Sequence, residues 1–182
     1  MRVKLIDSIA NVDELRDSFD ASFKAPEKNI VEPHERMLAI RVGDMRFAIR
    51  VSEIAGVETS RKIVPLPHPL PGLLGIAGVK RRVVAVYALA TLLGARQSDT
   101  PARWLMLAAN LDASIAFAFD ALDGYFAATH SRIHPVVRAT ENEYVHGMVE
   151  ENELLWPLLH VPTLTAHALG IARMELRGTE TR

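Results

Sequence analysis

Seven histidines, two neighbouring aspartates and one run of three cations are the residues of this 182-residue chain with chemistry to offer. The histidines are His34, His68, His130, His134, His146, His160 and His167. Only His130 and His134 stand four apart, and Pro135 follows at once, which spoils the shared helical face that a pair of ligands would need. No carboxylate sits at a metal-motif spacing from them, so no metal site and no cofactor are expected. Asp120 and Asp123 lie on either side of Leu122. They read as a strand-end pair that faces solvent or caps a turn rather than as a general acid pair. No serine has a nucleophile-elbow context, and cysteine is absent, which removes thiolate chemistry and disulfides together. The chain is therefore read as a non-enzyme. The glycines Gly72, Gly75 and Gly78 are three apart, which is neither a phosphate loop nor the dinucleotide fingerprint. What remains is Lys80-Arg81-Arg82, a basic cluster between two apolar runs. Such a cluster seeks carboxylates on a partner protein. Nucleic acid is the weaker alternative and is not the expected partner, because no aromatic residues interleave with the basic ones.

The elements around that cluster are short. Met37–Val42, Gly43-Asp44 and Arg46–Val51 read as strand, tight turn and strand, followed by a third strand at Ile54–Glu58. Prolines 65, 67, 69 and 71 make an extended connector, with Leu66 and Leu70 expected to anchor it in the chain's own core. Gly72–Gly78 and Arg82–Tyr87 are the strands on either side of the basic turn, and Ala88–Leu93 is a short helix closed by Gly94. Residues 95–101 read as a connection between subdomains. Strands follow at Arg103–Ala109, Ser114–Phe119, Tyr125–Thr129, Val145–Val149 and Glu153–Leu159, then a helix over Thr163–Met174 with Thr163 as its N-cap. Many short strands with turn signals between them predict a barrel or sandwich.

The N-terminal stretch differs. Ile9, Val12, Leu15 and Phe19 recur at helical spacing, so 1–25 reads as an amphipathic helix whose apolar face docks on the body or on a partner. Residues 26–34 read as a linker. Asp7, Asp13, Glu14 and Asp17 break any early apolar run, so no signal peptide is predicted. The longest apolar stretches fall far short of the roughly 20 residues of a membrane helix. Lys and Arg number 21 and Asp and Glu 22, so no overall field gathers nucleic acid or an anionic membrane. A cytoplasmic protein without direct membrane insertion is expected.

From about Glu35 to about Leu164 the chain resembles the CheW-like domain family, the adaptors of bacterial chemotaxis arrays. Gly43-Asp44-Met45-Arg46-Phe47-Ala48-Ile49 matches the family's opening turn and strand. Val51-Ser52-Glu53-Ile54 matches its Val-x-Glu-Ile segment, and Val64-Pro65-Leu66-Pro67 its proline link. Gly75 through Leu89 follows the apolar frame of its Asn-Leu-Arg-Gly stretch, with Gly78 in place of Asn, Lys80 of Arg, Arg81 of Gly, Ala85 of Pro and Ala88 of Asp. Ala118-Phe119-Asp120-Ala121-Leu122 and Tyr144-Val145-His146-Gly147-Met148 match two further segments. The resemblance implies a mostly β fold of two small SH3-like five-stranded barrels over 35–164, followed by a C-terminal helix and tail over 165–182. It also implies an adaptor that couples the cytoplasmic tip of a methyl-accepting chemoreceptor to the CheW-like regulatory domain of a histidine kinase. The alternative is a divergent protein-binding module of another regulatory or motility system, such as twitching. The residues expected to meet a partner are Lys80, Arg81 and Arg82, with Leu74, Ile76 and Val79 as the apolar part of the site.

Overall fold

β7 (Ile115–Phe119) shows how the sequence writes this fold. Its residues, Ile-Ala-Phe-Ala-Phe, are all buried. A strand sends alternate side chains to opposite faces. Ile115, Phe117 and Phe119 enter one large apolar cluster, and Ala116 and Ala118 enter another. A strand buried on both faces, large on one and small on the other, must separate two cores of different depth.

A computed structural model of the protein describes residues 34–59, 62–67, 70–96, 102–109, 114–135 and 142–179. The expected amphipathic helix of 1–25, with Ile9, Val12, Leu15 and Phe19, lies outside the described residues, as do linker residues 26–33 and His68. The described strands form two sheets. One joins β1 (His34–Val42), β2 (Met45–Arg50), β8 (Ala121–Thr129), β9 (Ile133–Pro135), β10 (Val145–Glu151) and β11 (Leu154–Leu159) in the order β8-β1-β2-β11-β10-β9. The other joins β3 (Ile54–Thr59), β4 (Leu73–Val79), β5 (Arg82–Ala88), β6 (Trp104–Ala108) and β7 in the order β3-β6-β7-β5-β4. A one-turn helix α1 (Leu89–Leu92) follows β5, and α2 (Val161–Thr179) follows β11.

The expectation of two closed five-stranded barrels needs correction. One sheet has six strands, and neither strand order closes on itself among the described residues. The end strands of the five-stranded sheet still approach, since Lys80 Nζ at the end of β4 lies 3.0 Å from Glu58 Oε1 on β3. Side chains bridge the gap that backbone pairing leaves open. Each sheet folds around its own apolar cluster. The five-stranded one is lined by Ala77, Val79, Val84, Val86, Leu105, Ala116 and Ala118. The six-stranded one holds Met37, Ala48, Ala128, Val149 and Leu158, with Trp156 and Phe126 against them. The largest cluster draws on both sheets and includes Leu38, Ile40, Phe47, Ile49, Tyr87, Leu89, Met106, Phe117, Leu159 and Leu164.

The sheets are not the two halves of the chain. β3 through β7 form one of them, while β1 and β2 pair with strands 70 or more residues later. The connection expected at 95–101 therefore leads from α1 to β6 within one sheet. The true crossings lie at the 3-10 turn Val51–Glu53, between β2 and β3, and at Asp120, between β7 and β8. A carboxylate marks each. Asp120 Oδ2 accepts the Gly43 N–H at 2.6 Å and so caps the β1–β2 turn, while Asp123 pairs with Arg41 at 3.5 Å. Glu53 Oε2 accepts the Val161 N–H at 2.8 Å, its Oε1 meets Arg50 at 3.4 Å, and its carbonyl accepts the Ala109 N–H at 3.1 Å.

That contact also corrects the expected helix cap. α2 begins at Val161, and its first N–H is satisfied by Glu53, distant in sequence, not by Thr163. Leu164 and Ala168 are buried in the shared cluster, and the Tyr87 hydroxyl donates to the Ala168 carbonyl at 3.2 Å. The helix thus runs across the expected 164/165 boundary, with Leu164 and Ala168 in the core on either side of it.

The proline connector meets the outer edge of β4 at Val64. Val64 and Ile76 exchange two backbone hydrogen bonds of 2.8 and 2.9 Å. A Cβ on Gly75 would stand 2.2 Å from the Val64 carbonyl oxygen, so no side chain fits there. Prolines along such an edge leave few donors for a further strand, which guards against edge-to-edge pairing. Leu66 does not anchor this strap in the core as expected; it is exposed.

Candidate functional site

The basic cluster sits on a turn of only two residues. Val79 pairs with Arg82, and Lys80 and Arg81 between them have φ of 46° and 66°. Two left-handed central residues match the twist of the strands they join, and glycine or asparagine is the usual occupant. Here both carry long side chains, at a strain of roughly 1 kcal/mol or more each. The strain is held from below, because Val79 is 3% exposed inside the five-stranded sheet.

The three cations do different things. Lys80 turns back to Glu58. Arg81 and Arg82 are exposed and have no carboxylate within ion-pair distance among the described residues. The apolar residues expected beside them also divide. Val79 is buried; Leu74 is half-buried against the sheet interior; Ile76 is half-buried and tied to Val64. They form the base of the tip. The apolar side chain presented next to the arginines is Val83, 64% exposed, which does not grip the turn as a buried flank would.

A second surface, on the six-stranded sheet, escaped the sequence reading. β10 and β11 are joined by Asn152 and Glu153, again both left-handed with φ of 49° and 63°. Leu154 and Leu155 follow, 52% and 60% exposed, and Met45 at the start of β2 is 41% exposed. β11 pairs with β2 only at Leu158 and Leu159, so its first four residues have no ladder partner on that side. Leu154 shares a face of β11 with Trp156, and Leu155 points to the other; Trp156 is half-buried, with the Arg46 guanidinium 5.6 Å above its ring and Phe126 at 6.3 Å. Its indole Nε1 is buried without a hydrogen-bond partner. The rim is acidic in type: Glu150 faces His134 at 4.0 Å, Glu151 meets Arg132 at 3.8 Å, and Glu153 is exposed. Glu153–Leu159 is apolar apart from its first residue, a pattern that a buried strand shares.

The histidines scatter. His130 meets Glu35 at 3.2 Å, His167 meets Glu143 at 3.4 Å, and His146 stacks on His160. Among the described residues no three His, Asp or Glu side chains converge on a point that would hold a metal. No helix among them is long and apolar enough to cross a membrane.

The structure thus presents two exposed tips of unlike chemistry, one on each sheet. Residues 36–169 match the family model of the CheW-like domain. The chain is 20% identical over 141 residues to the probable chemotaxis protein CheW of Rhizobium etli, covering 75% of this chain and 91% of that one. It is 19% identical over 126 residues to the chemotaxis protein CheW of Rhizobium meliloti, covering 67% and 81%. Among solved structures, the scaffolding protein TtCheW from Thermoanaerobacter tengcongensis superposes with a TM-score of 0.63 at 14% identity, covering 70% of this chain and 90% of that one. The chain belongs to the CheW-like domain family. Like other members it is a non-catalytic adaptor or scaffold of chemotaxis-like signalling.

Proposed function

We propose that the chain couples the cytoplasmic tip of a chemoreceptor to the regulatory domain of a histidine kinase, using its two hairpin tips as separate docking points. The observation that carries this reading is the chemical difference between them. An adaptor that must hold two proteins at once needs two surfaces that do not compete for one partner. The β4–β5 tip offers Arg81 and Arg82 around Val83, which suits a partner surface with carboxylates. The β10–β11 tip offers Leu154, Leu155 and Met45, which suits an apolar one. Both turns close a ladder of paired strands, and a tip fixed at its base loses less freedom on docking than a free loop does. Lys80, Leu74, Ile76 and Val79 support the first tip rather than touch the partner.

Co-sedimentation tests the coupling. Receptor-bearing membranes should carry the purified kinase regulatory domain into the pellet only when this chain is added. A regulatory domain that stays in the supernatant with the chain present overturns the reading and favours a divergent module of another motility system.

A further inference from the structure

His160 lies directly before α2, with its ring stacked on that of His146 from β10; the centroids are 4.1 Å apart and the planes 15° from parallel. Thr163 Oγ1 lies 2.8 Å from His160 Nδ1 and 3.3 Å from His146 Nε2. A hydroxyl has one proton, so it donates to one ring nitrogen and accepts from an N–H on the other. That arrangement suits two neutral imidazoles. The charged groups around the pair come from three other elements. Glu53, from the turn Val51–Glu53, holds the Val161 N–H. Arg50 of β2 lies between Glu53 and Glu35, at 3.4 and 2.7 Å, and Glu35 also meets His130. Further along α2, His167 meets Glu143 and stands edge-on to Tyr144 at 5.5 Å. The Tyr144 carbonyl accepts the His160 N–H at 2.9 Å.

We propose that the His146–His160 stack is an acid-sensitive fastening for the first turn of α2, closed when the His160 ring is neutral and opened by its proton uptake. A proton on His160 would place a cation against the face of the His146 ring and at the positive end of a 19-residue helix. Burial pushes the His160 pKa down; Glu53 pulls it up, and His146 and Arg50 push it further down. A histidine held below its ordinary value of about 6.5 stays neutral in the closed form while the open form takes up a proton. The fastening is therefore complete above that pH and weakens as pH falls through it. Acid thus loosens the first turn of α2. This inference is independent of the proposed docking function.

Amide hydrogen exchange on the full chain tests it, with rates corrected for the intrinsic effect of pH. Between pH 7.5 and 5.5 the protection of the Val161 and Leu164 amides should fall threefold or more relative to that of the Ile49 and Phe117 amides in the sheets. In the variant His146→Gln, at an exposed position, the same comparison should change less than threefold. The proposal is overturned by a wild-type fall below threefold, or by a fall in the variant equal to that of the wild type.

Discussion

Two tight turns in this molecule, Lys80-Arg81 and Asn152-Glu153, place four non-glycine residues in left-handed backbone, one turn on each sheet. They share a backbone plan and differ in everything attached to it. Beneath the first lies Val79, sealed among small residues, and beside it Lys80 ties the two end strands of its sheet together through Glu58. Beneath the second, β11 has left the ladder of β2, two leucines stand in solvent, and a tryptophan has a buried N–H with no partner. The first tip is finished internally and presents charge. The second is unfinished internally and presents apolar surface. Large apolar side chains left exposed together at one strand end mark a candidate interaction site. The lesson is that turn geometry alone does not mark a docking point; what the strands below leave uncovered does.

Breaking the base of the first tip should give the largest effect. Val79→Asp buries a carboxylate with no cation beside it and should cost more than about 3 kcal/mol in a denaturant melt. The matched change Val83→Asp, four residues away and exposed, should stay within about 0.5 kcal/mol. Equal losses at the two positions would mean that Val83 carries packing the structure does not give it.

A smaller effect should sharpen the comparison between the turns. Arg81→Gly relieves a left-handed arginine and should stabilise the fold by about 0.5–1 kcal/mol after the added freedom of the unfolded glycine is counted. Asn152→Gly should gain only a few tenths, because asparagine tolerates this conformation. Thermal melts of the two variants check the ranking. A larger gain at Asn152 would contradict it.

Much of the β4–β5 side was legible in sequence. Gly43-Asp44 and Lys80-Arg81 were readable as turns from the alternating strands around them, and the cluster of three cations was visible as a tip. Hidden was the pairing of Lys80 with Glu58, since residues 22 apart meet only once the sheet curls. The sheet assignment was hidden for a related reason. Hydrophobic alternation sets which face a residue takes but not which strand lies beside it, and β5 with β7 and β2 with β11 are parallel pairs that no hairpin announces. Glu53 was read as part of a motif. Its task, capping α2, depends on a helix more than 100 residues away. The β10–β11 surface left almost no signal, because Leu154 and Leu155 differ from the buried Leu158 and Leu159 in nothing but their position along one strand.

Whether the two tips serve two partners is answered most directly by one set of titrations. The wild-type chain, Arg81→Glu/Arg82→Glu and Leu154→Ser/Leu155→Ser are each titrated by calorimetry with the kinase regulatory domain and with a receptor cytoplasmic-tip fragment. Each double variant should remain folded, lose one partner by tenfold or more, equivalent to about 1.4 kcal/mol, and keep the other. The same partner lost by both variants, or neither partner lost by either, would contradict the assignment of separate docking points to the two sheets.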